Sequence, residues 1–137
     1  MKPDLSKVAL DPSWHLFYID VVKQTFQLAR LDEATYRATS FLDARALQPQ
    51  QVLVEYNINQ LVRIFSSNTE LGELGLIFHI GHCGSTLLSR ALSTSDAFLP
   101  VREPLPLLVL SNLFRELDKP TCFLPKPQFE SLKQCIV

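Results

Sequence analysis

Charge of one sign is the first thing this chain lacks. Its 137 residues carry 13 Lys and Arg against 14 Asp and Glu, a net charge of −1. A balanced chain has no broad field with which to hold nucleic acid or an anionic membrane surface, so neither partner is expected. Any anion site must be local. Cysteine is also scarce. Cys83, Cys122 and Cys135 are an odd number without a C-x-x-C spacing, which argues against a disulfide framework and fits free thiols in the cytoplasm. No apolar signal segment follows the N-terminal Met1, Lys2, Pro3 and Asp4, and no run approaches transmembrane length. Internal repeats and low-complexity tracts are missing as well.

What is present is an ordinary globular composition, 47% hydrophobic and 20% charged, enough for one modest core. Residues 1–15 are punctuated by Pro and Asp and read as an extended lead-in. Residues 16–22 and 25–31 are rich in β-formers, with Lys23 and Gln24 between them, which predicts a small antiparallel hairpin. Asp32 is placed to cap a short helix through Arg37. Ser40 resembles a second cap, with Asp43 in the first turn. Pro49 opens a longer expected helix, because Val54, Ile58, Leu61 and Phe65 recur at intervals of four, three and four. Residues 66–70 are polar and end it.

The stretch from Leu76 to Leu92 organises the rest. Leu76, Ile77, Phe78, His79 and Ile80 form a short run, apolar except for His79, which predicts a strand covered on both faces. Gly81 and Gly84 allow backbone angles that residues with a Cβ avoid. From Ser85 onward, Leu87, Leu88, Ala91 and Leu92 share a helical stripe. A strand, a glycine turn and a helix start together aim backbone N–H groups and the positive end of a helix dipole at one point. Such a point suits phosphate or sulfate. Residues 97–101 read as a second strand, parallel to the first through the crossover. Residues 107–117 read as a buried helix. Phe129, Leu132 and Ile136 share the face of a last one. The division expected is an N-terminal hairpin and helical segment over 1–70 and an incomplete α/β core over 71–137.

Residues 81–90, Gly-His-Cys-Gly-Ser-Thr-Leu-Leu-Ser-Arg, resemble the 5′-phosphosulfate loop of the P-loop sulfotransferases. These enzymes use 3′-phosphoadenosine-5′-phosphosulfate (PAPS) as sulfuryl donor. The bacterial branch shows a Gly-x-x-Gly-Ser/Thr-Thr-Leu-Leu pattern, matched here from Gly81 to Leu88. The common cytosolic branch has a lysine where His82 stands, and an imidazolium there would favour the anion below about pH 7. The resemblance covers residues 74–104, roughly a quarter of the chain. It implies a P-loop NTPase-like three-layer α/β fold and transfer of a sulfuryl group to a hydroxyl or amine of a small-molecule or glycan acceptor. It implies that His82, Cys83, Gly84, Ser85, Thr86, Leu87 and Arg90 form the donor site, with His82 also catalytic. It further implies that Glu103, after the second strand, is the base that deprotonates the acceptor. No metal is expected. The family's 3′-phosphate contacts, an Arg and a Ser after a later strand, have no counterpart here.

Other readings were open at the same residues. A Walker A loop needs Lys where Ser85 stands, to reach the β- and γ-phosphates, so a P-loop kinase relative fits less well. A thiol phosphatase loop has five residues between its Cys and Arg. Six separate Cys83 from Arg90, and one extra residue turns the arginine by about 100°. His79, His82 and Cys83 match no common zinc spacing, and His79 between Phe78 and Ile80 reads as a hydrogen-bonded core residue. Arg90 alternatively forms a surface ion pair, and Arg102 with Glu103 a solvated pair. A catalytically inactive anion-binding or interaction module is a further alternative. A complete sulfotransferase domain runs to roughly 250 residues on the usual domain scale. The chain therefore reads as an N-terminal portion, its sheet completed by the remainder of the domain or by a partner chain.

Overall fold

The computed structural model describes residues 2–8, 11–49, 51–67, 75–81, 83–95, 97–120, 122 and 124–136. The side chains of residues 65–67 and 134–136, with those of Phe65 and Ile136 among them, lie outside that description. The molecule is a mixed α/β structure built on one three-stranded antiparallel sheet of order β1-β2-β3.

The expected hairpin is there. Strand β1, Trp14–Asp20, pairs antiparallel with β2, Thr25–Arg30. Asp20 starts the turn by accepting the N–H groups of Val22 and Lys23 at 3.1 and 2.9 Å, the local bonding that suits Asp to turns. Gln24 closes it with φ of 55°. A register shift between Leu16 and Tyr18 marks a bulge in β1.

Strand β3, Leu53–Asn57, pairs antiparallel with β2 from Thr25 opposite Asn57 to Ala29 opposite Leu53. This corrects the helix expected from Pro49. Val54 and Tyr56 pack into the core while Glu55 and Asn57 face solvent, a period of two. Val54 and Ile58 are four apart, which satisfies both periods, so spacing alone did not separate them. The helical half of that expectation holds as α3, Ile58–Ser67. Its first N–H donates to Gln24 O at 2.9 Å, tying the helix start to the hairpin turn.

A short helix, α1 (Leu5–Val8), precedes the sheet. Helix α2, Glu33–Ala38, starts as read: the Asp32 side chain caps it by accepting Thr35 N–H at 2.7 Å. The second expected cap is displaced. Asp43, not Ser40, accepts Arg45 N–H, and it opens a single 3-10 turn, Ala44–Ala46.

Helices α4 (Ser85–Leu92), α5 (Leu105–Glu116) and α6 (Lys126–Ile136) complete the order. One face of the sheet presents Ile19, Phe26, Leu28 and Tyr56 to Ile58 and Leu61 of α3, Leu110 and Leu113 of α5, and Phe129 and Leu132 of α6. Phe26 and Tyr56 stack at 5.5 Å within it. The other face presents Phe17, Ala29 and Leu31 to Tyr36 of α2, Leu42 and Ala46. The first face is therefore covered, and the second is covered around Phe17 and Ala29 while Tyr18, Glu55 and Asn57 leave its other end exposed. Full burial of the core side chains is worth about 1.5–3 kcal/mol each.

The parallel α/β core is the part the structure corrects. Residues 76–80 and 97–101, expected as parallel strands, carry no strand, and every pairing among the described residues is antiparallel. A parallel strand needs a hydrogen-bonded neighbour and a covering layer. The described residues place neither on these stretches. Phe78 is 89% and Ile80 82% exposed. His79, expected in a core, is exposed too, its Nδ1 3.2 Å from Ile80 O. Among the described residues no helix is long and apolar enough to cross a membrane.

Candidate functional site

Helix α4 begins where the glycine turn ends. Gly84 is its N-cap, with φ of 85° and ψ of 15°. This left-handed conformation is open to glycine at no steric cost and strains a residue with a Cβ. Because Gly84 has no side chain, it caps none of the first N–H groups. Leu88 N–H donates to Gly84 O at 3.1 Å, the first bond of the helix. The N–H groups of Ser85, Thr86 and Leu87 precede it, as donors at a helix N-terminus do. Ser85 and Thr86 are half-buried beside them. Cys83 is an exposed free thiol. His82 lies outside the described residues.

The apolar stripe expected on α4 is not buried. Leu87 is 74% exposed, Leu88 and Leu92 are exposed with it, and the helix buries no residue. Polar bonds hold α4 in place instead. Arg90 Nη2 donates to Ser40 Oγ at 3.1 Å, so it forms a hydrogen bond across to the segment after α2. Arg37 Nη1 donates to Ser93 O beyond the last turn. Arg102 Nε donates to Ser89 Oγ at 2.9 Å.

Arg102 is only 5% exposed, which corrects the expectation of a solvated Arg-Glu pair. Its Nη1 donates to three carbonyls at the end of α2: Tyr36 O at 3.1 Å, Arg37 O at 3.2 Å and Thr39 O at 2.5 Å. A cation at a helix C-terminus complements the dipole there. Burial, and then the neighbouring Arg90 charge, push its guanidinium below the ordinary arginine value. Nothing in the sequence signals this clamp, because an Arg next to a Glu resembles any surface pair.

Glu103 follows directly and is exposed. Its φ is +45°, a region that costs a non-glycine residue about 1–2 kcal/mol. Backbone outliers of this kind cluster at working sites. Two bonds to Leu42 frame it: Leu42 N–H donates to Arg102 O at 2.9 Å, and Leu105 N–H donates to Leu42 O at 3.4 Å. Pro104 then caps α5. Arg45, which donates from Nε to Asp43 Oδ1 and from Nη2 to Asp43 Oδ2, is raised above its ordinary value chiefly by that hydrogen bonding, and the Glu103 charge adds to the effect. Glu103 thus lies within electrostatic reach of Arg45.

Gly84, Ser85, Thr86, Leu87 and Arg90 are therefore on one short helix and its cap, and Glu103 is joined to the same helix through one arginine. No family model matches the chain, and no curated protein or solved structure is significantly similar to it.

Proposed function

We propose that this chain carries the donor-binding part of a PAPS-dependent sulfotransferase acting in the cytoplasm. The observation that carries the reading is the pairing of an anion-type loop with a glutamate whose backbone is framed by bonds to Leu42. Helix α4 opens at a left-handed Gly84 inside Gly-x-x-Gly-Ser-Thr, and Arg102 bonds that helix immediately before Glu103. N–H groups at a helix start stabilise the developing negative charge of a departing phosphate without reorganisation. In this reading the N–H groups of residues 82–87 hold the donor's 5′-phosphosulfate, Ser85 and Thr86 add hydroxyl donors, and His82 and Arg90 add positive charge. An acceptor hydroxyl or amine attacks the sulfur. A new bond to sulfur forms, the bond to the bridging phosphate oxygen breaks, and Glu103 takes the acceptor's proton. PAPS has no γ-phosphate, so the loop needs neither the Walker lysine nor a bridging metal.

The reading rests on the loop and on helix α4, Ser85–Leu92, and needs no strand at residues 76–80, which carry none.

Calorimetric titration tests the reading. Adenosine 3′,5′-bisphosphate is expected to bind, ATP with Mg²⁺ is not, and Glu103→Ala is expected to keep the affinity. Binding of ATP with Mg²⁺ alone would favour a kinase relative. Binding of neither would leave a non-enzymatic interaction module.

A further inference from the structure

Arg102 is the most constrained side chain near the candidate site. It is buried, it bonds three carbonyls of one helix end and a hydroxyl of another helix, and its own carbonyl accepts Leu42 N–H. The next residue is the strained Glu103, and two residues later Leu105 N–H returns to Leu42 O. The 102–105 segment is therefore closed by Leu42 on one side and anchored by the Arg102 guanidinium on the other. Glu103 also precedes Pro104, which disfavours a right-handed helical backbone at this position. An unframed Glu103 would relax to an extended backbone.

We propose that Arg102 is a positioning residue that holds Glu103 in its left-handed backbone and couples it, through Ser89, to the helix that starts at the anion loop. The role rests on the sulfotransferase reading in so far as Glu103 is a base; the mechanical coupling stands on the bonds themselves. Arg102 touches no reacting atom. It fixes the Glu103 backbone relative to α4, and so limits the positions from which its carboxylate can reach a donor seated on the first turn of α4. Preorganisation of this kind contributes through geometry.

The test compares Glu103→Gly with Glu103→Ala by urea unfolding of the full chain in three backgrounds: unmutated, Ser89→Ala and Arg102→Gln. At a left-handed position glycine is favoured, so in the unmutated background Glu103→Gly is expected to have a folding constant about fivefold to tenfold above that of Glu103→Ala. Where the frame is lost, Cβ restricts the unfolded chain and alanine is favoured instead. Arg102→Gln is therefore expected to invert the ratio. Ser89→Ala keeps the three carbonyl bonds and is expected to reduce it at least twofold, which decides the matter if Arg102→Gln does not fold. A ratio that stays the same in every folded background overturns the proposal.

A second readout keeps this separate from the functional reading. In the unmutated chain, failure to bind adenosine 3′,5′-bisphosphate would sink the donor site and leave the stability ratio to judge the coupling. With binding present, Ser89→Ala is expected to hold that affinity within about threefold and to slow sulfate release from PAPS to water roughly tenfold. In that release water's oxygen bonds to sulfur, the bond to the donor phosphate breaks and Glu103 takes the proton. A loss confined to affinity would overturn the positioning role.

Discussion

The imidazole of His15 meets the ring of Tyr36 edge-on, with centroids 5.7 Å apart and planes at 87°. Both groups are buried between β1 and α2, and His15 Nε2 has no acceptor or donor among the described residues. Burial pushes the His15 pKa down from 6.5 to about 4 and the Tyr36 hydroxyl up to about 12. The folded chain therefore resists the proton that the unfolded chain accepts at about 6.5. Stability from this group is complete above pH 6.5, declines as the pH falls toward 4, and declines no further below it. The gap corresponds to about 3 kcal/mol. His15→Phe is expected to remove the slope in urea midpoints between pH 6.5 and 4. The carboxylates of Asp4, Asp11, Asp20, Asp32, Asp43 and Asp118 are lowered chiefly by hydrogen bonds they accept, so their contribution is lost below about pH 4, outside the histidine window.

Asp32→Ala removes the cap of α2. The N–H of Thr35 loses its acceptor, and the expected cost is about 1 kcal/mol. Asp32→Asn is expected to recover most of it. Thermal melts of the three proteins check the order.

Gly84→Ala places a Cβ on a backbone with φ of 85°. Space is not the obstacle, since nothing lies within 4 Å of the added carbon. The conformation is. The expected loss is about 1–2 kcal/mol, or a shift of the α4 start that weakens adenosine 3′,5′-bisphosphate binding. Urea unfolding and calorimetry on one preparation read both outcomes.

Leu132→Ala empties the centre of the core between α6 and the sheet, where Leu132 is fully buried. The expected cost is about 2–5 kcal/mol. Phe78→Ser, on an exposed side chain, is expected to leave the unfolding midpoint within about 0.5 kcal/mol while reducing binding of a hydrophobic dye, because it breaks up an exposed apolar patch.

The antiparallel sheet is half legible in the sequence. The hairpin declares itself through β-formers on either side of a polar turn, and α2 through Asp32. Both signals are local, so nothing distant overrides them. Strand β3 is hidden because its neighbour on β2 is 28 residues away at the Gln27–Glu55 pair, and Val54 and Ile58 satisfy a helical interval by coincidence. The glycine loop is legible as a motif, and the left-handed Gly84 and the helix behind it follow from it. The strand before it does not form from composition alone, since a ladder needs a second strand. The Arg102 clamp is not legible at all: three of its four partners are backbone carbonyls on a helix that ends more than sixty residues earlier.

The bulge in β1 has a consequence for tolerance to insertion and deletion. Without it, Phe17 and Ile19 would point the same way. With it, Phe17 joins Tyr36 and Leu42 on one side while Ile19 joins Phe26 and Leu132 on the other. One strand thus serves two separate interiors, and the extra residue acts as the switch between them. Removing a single residue at Phe17 would leave a regular strand in which Tyr18 still faces Gln27 and Ile19 still faces Phe26, while adding one elsewhere in β1 would send each side chain beyond it to the opposite side. What the deletion costs is the Phe17 side chain itself, which fills the second interior, so β1 tolerates the loss of one residue at the bulge in register but not in packing.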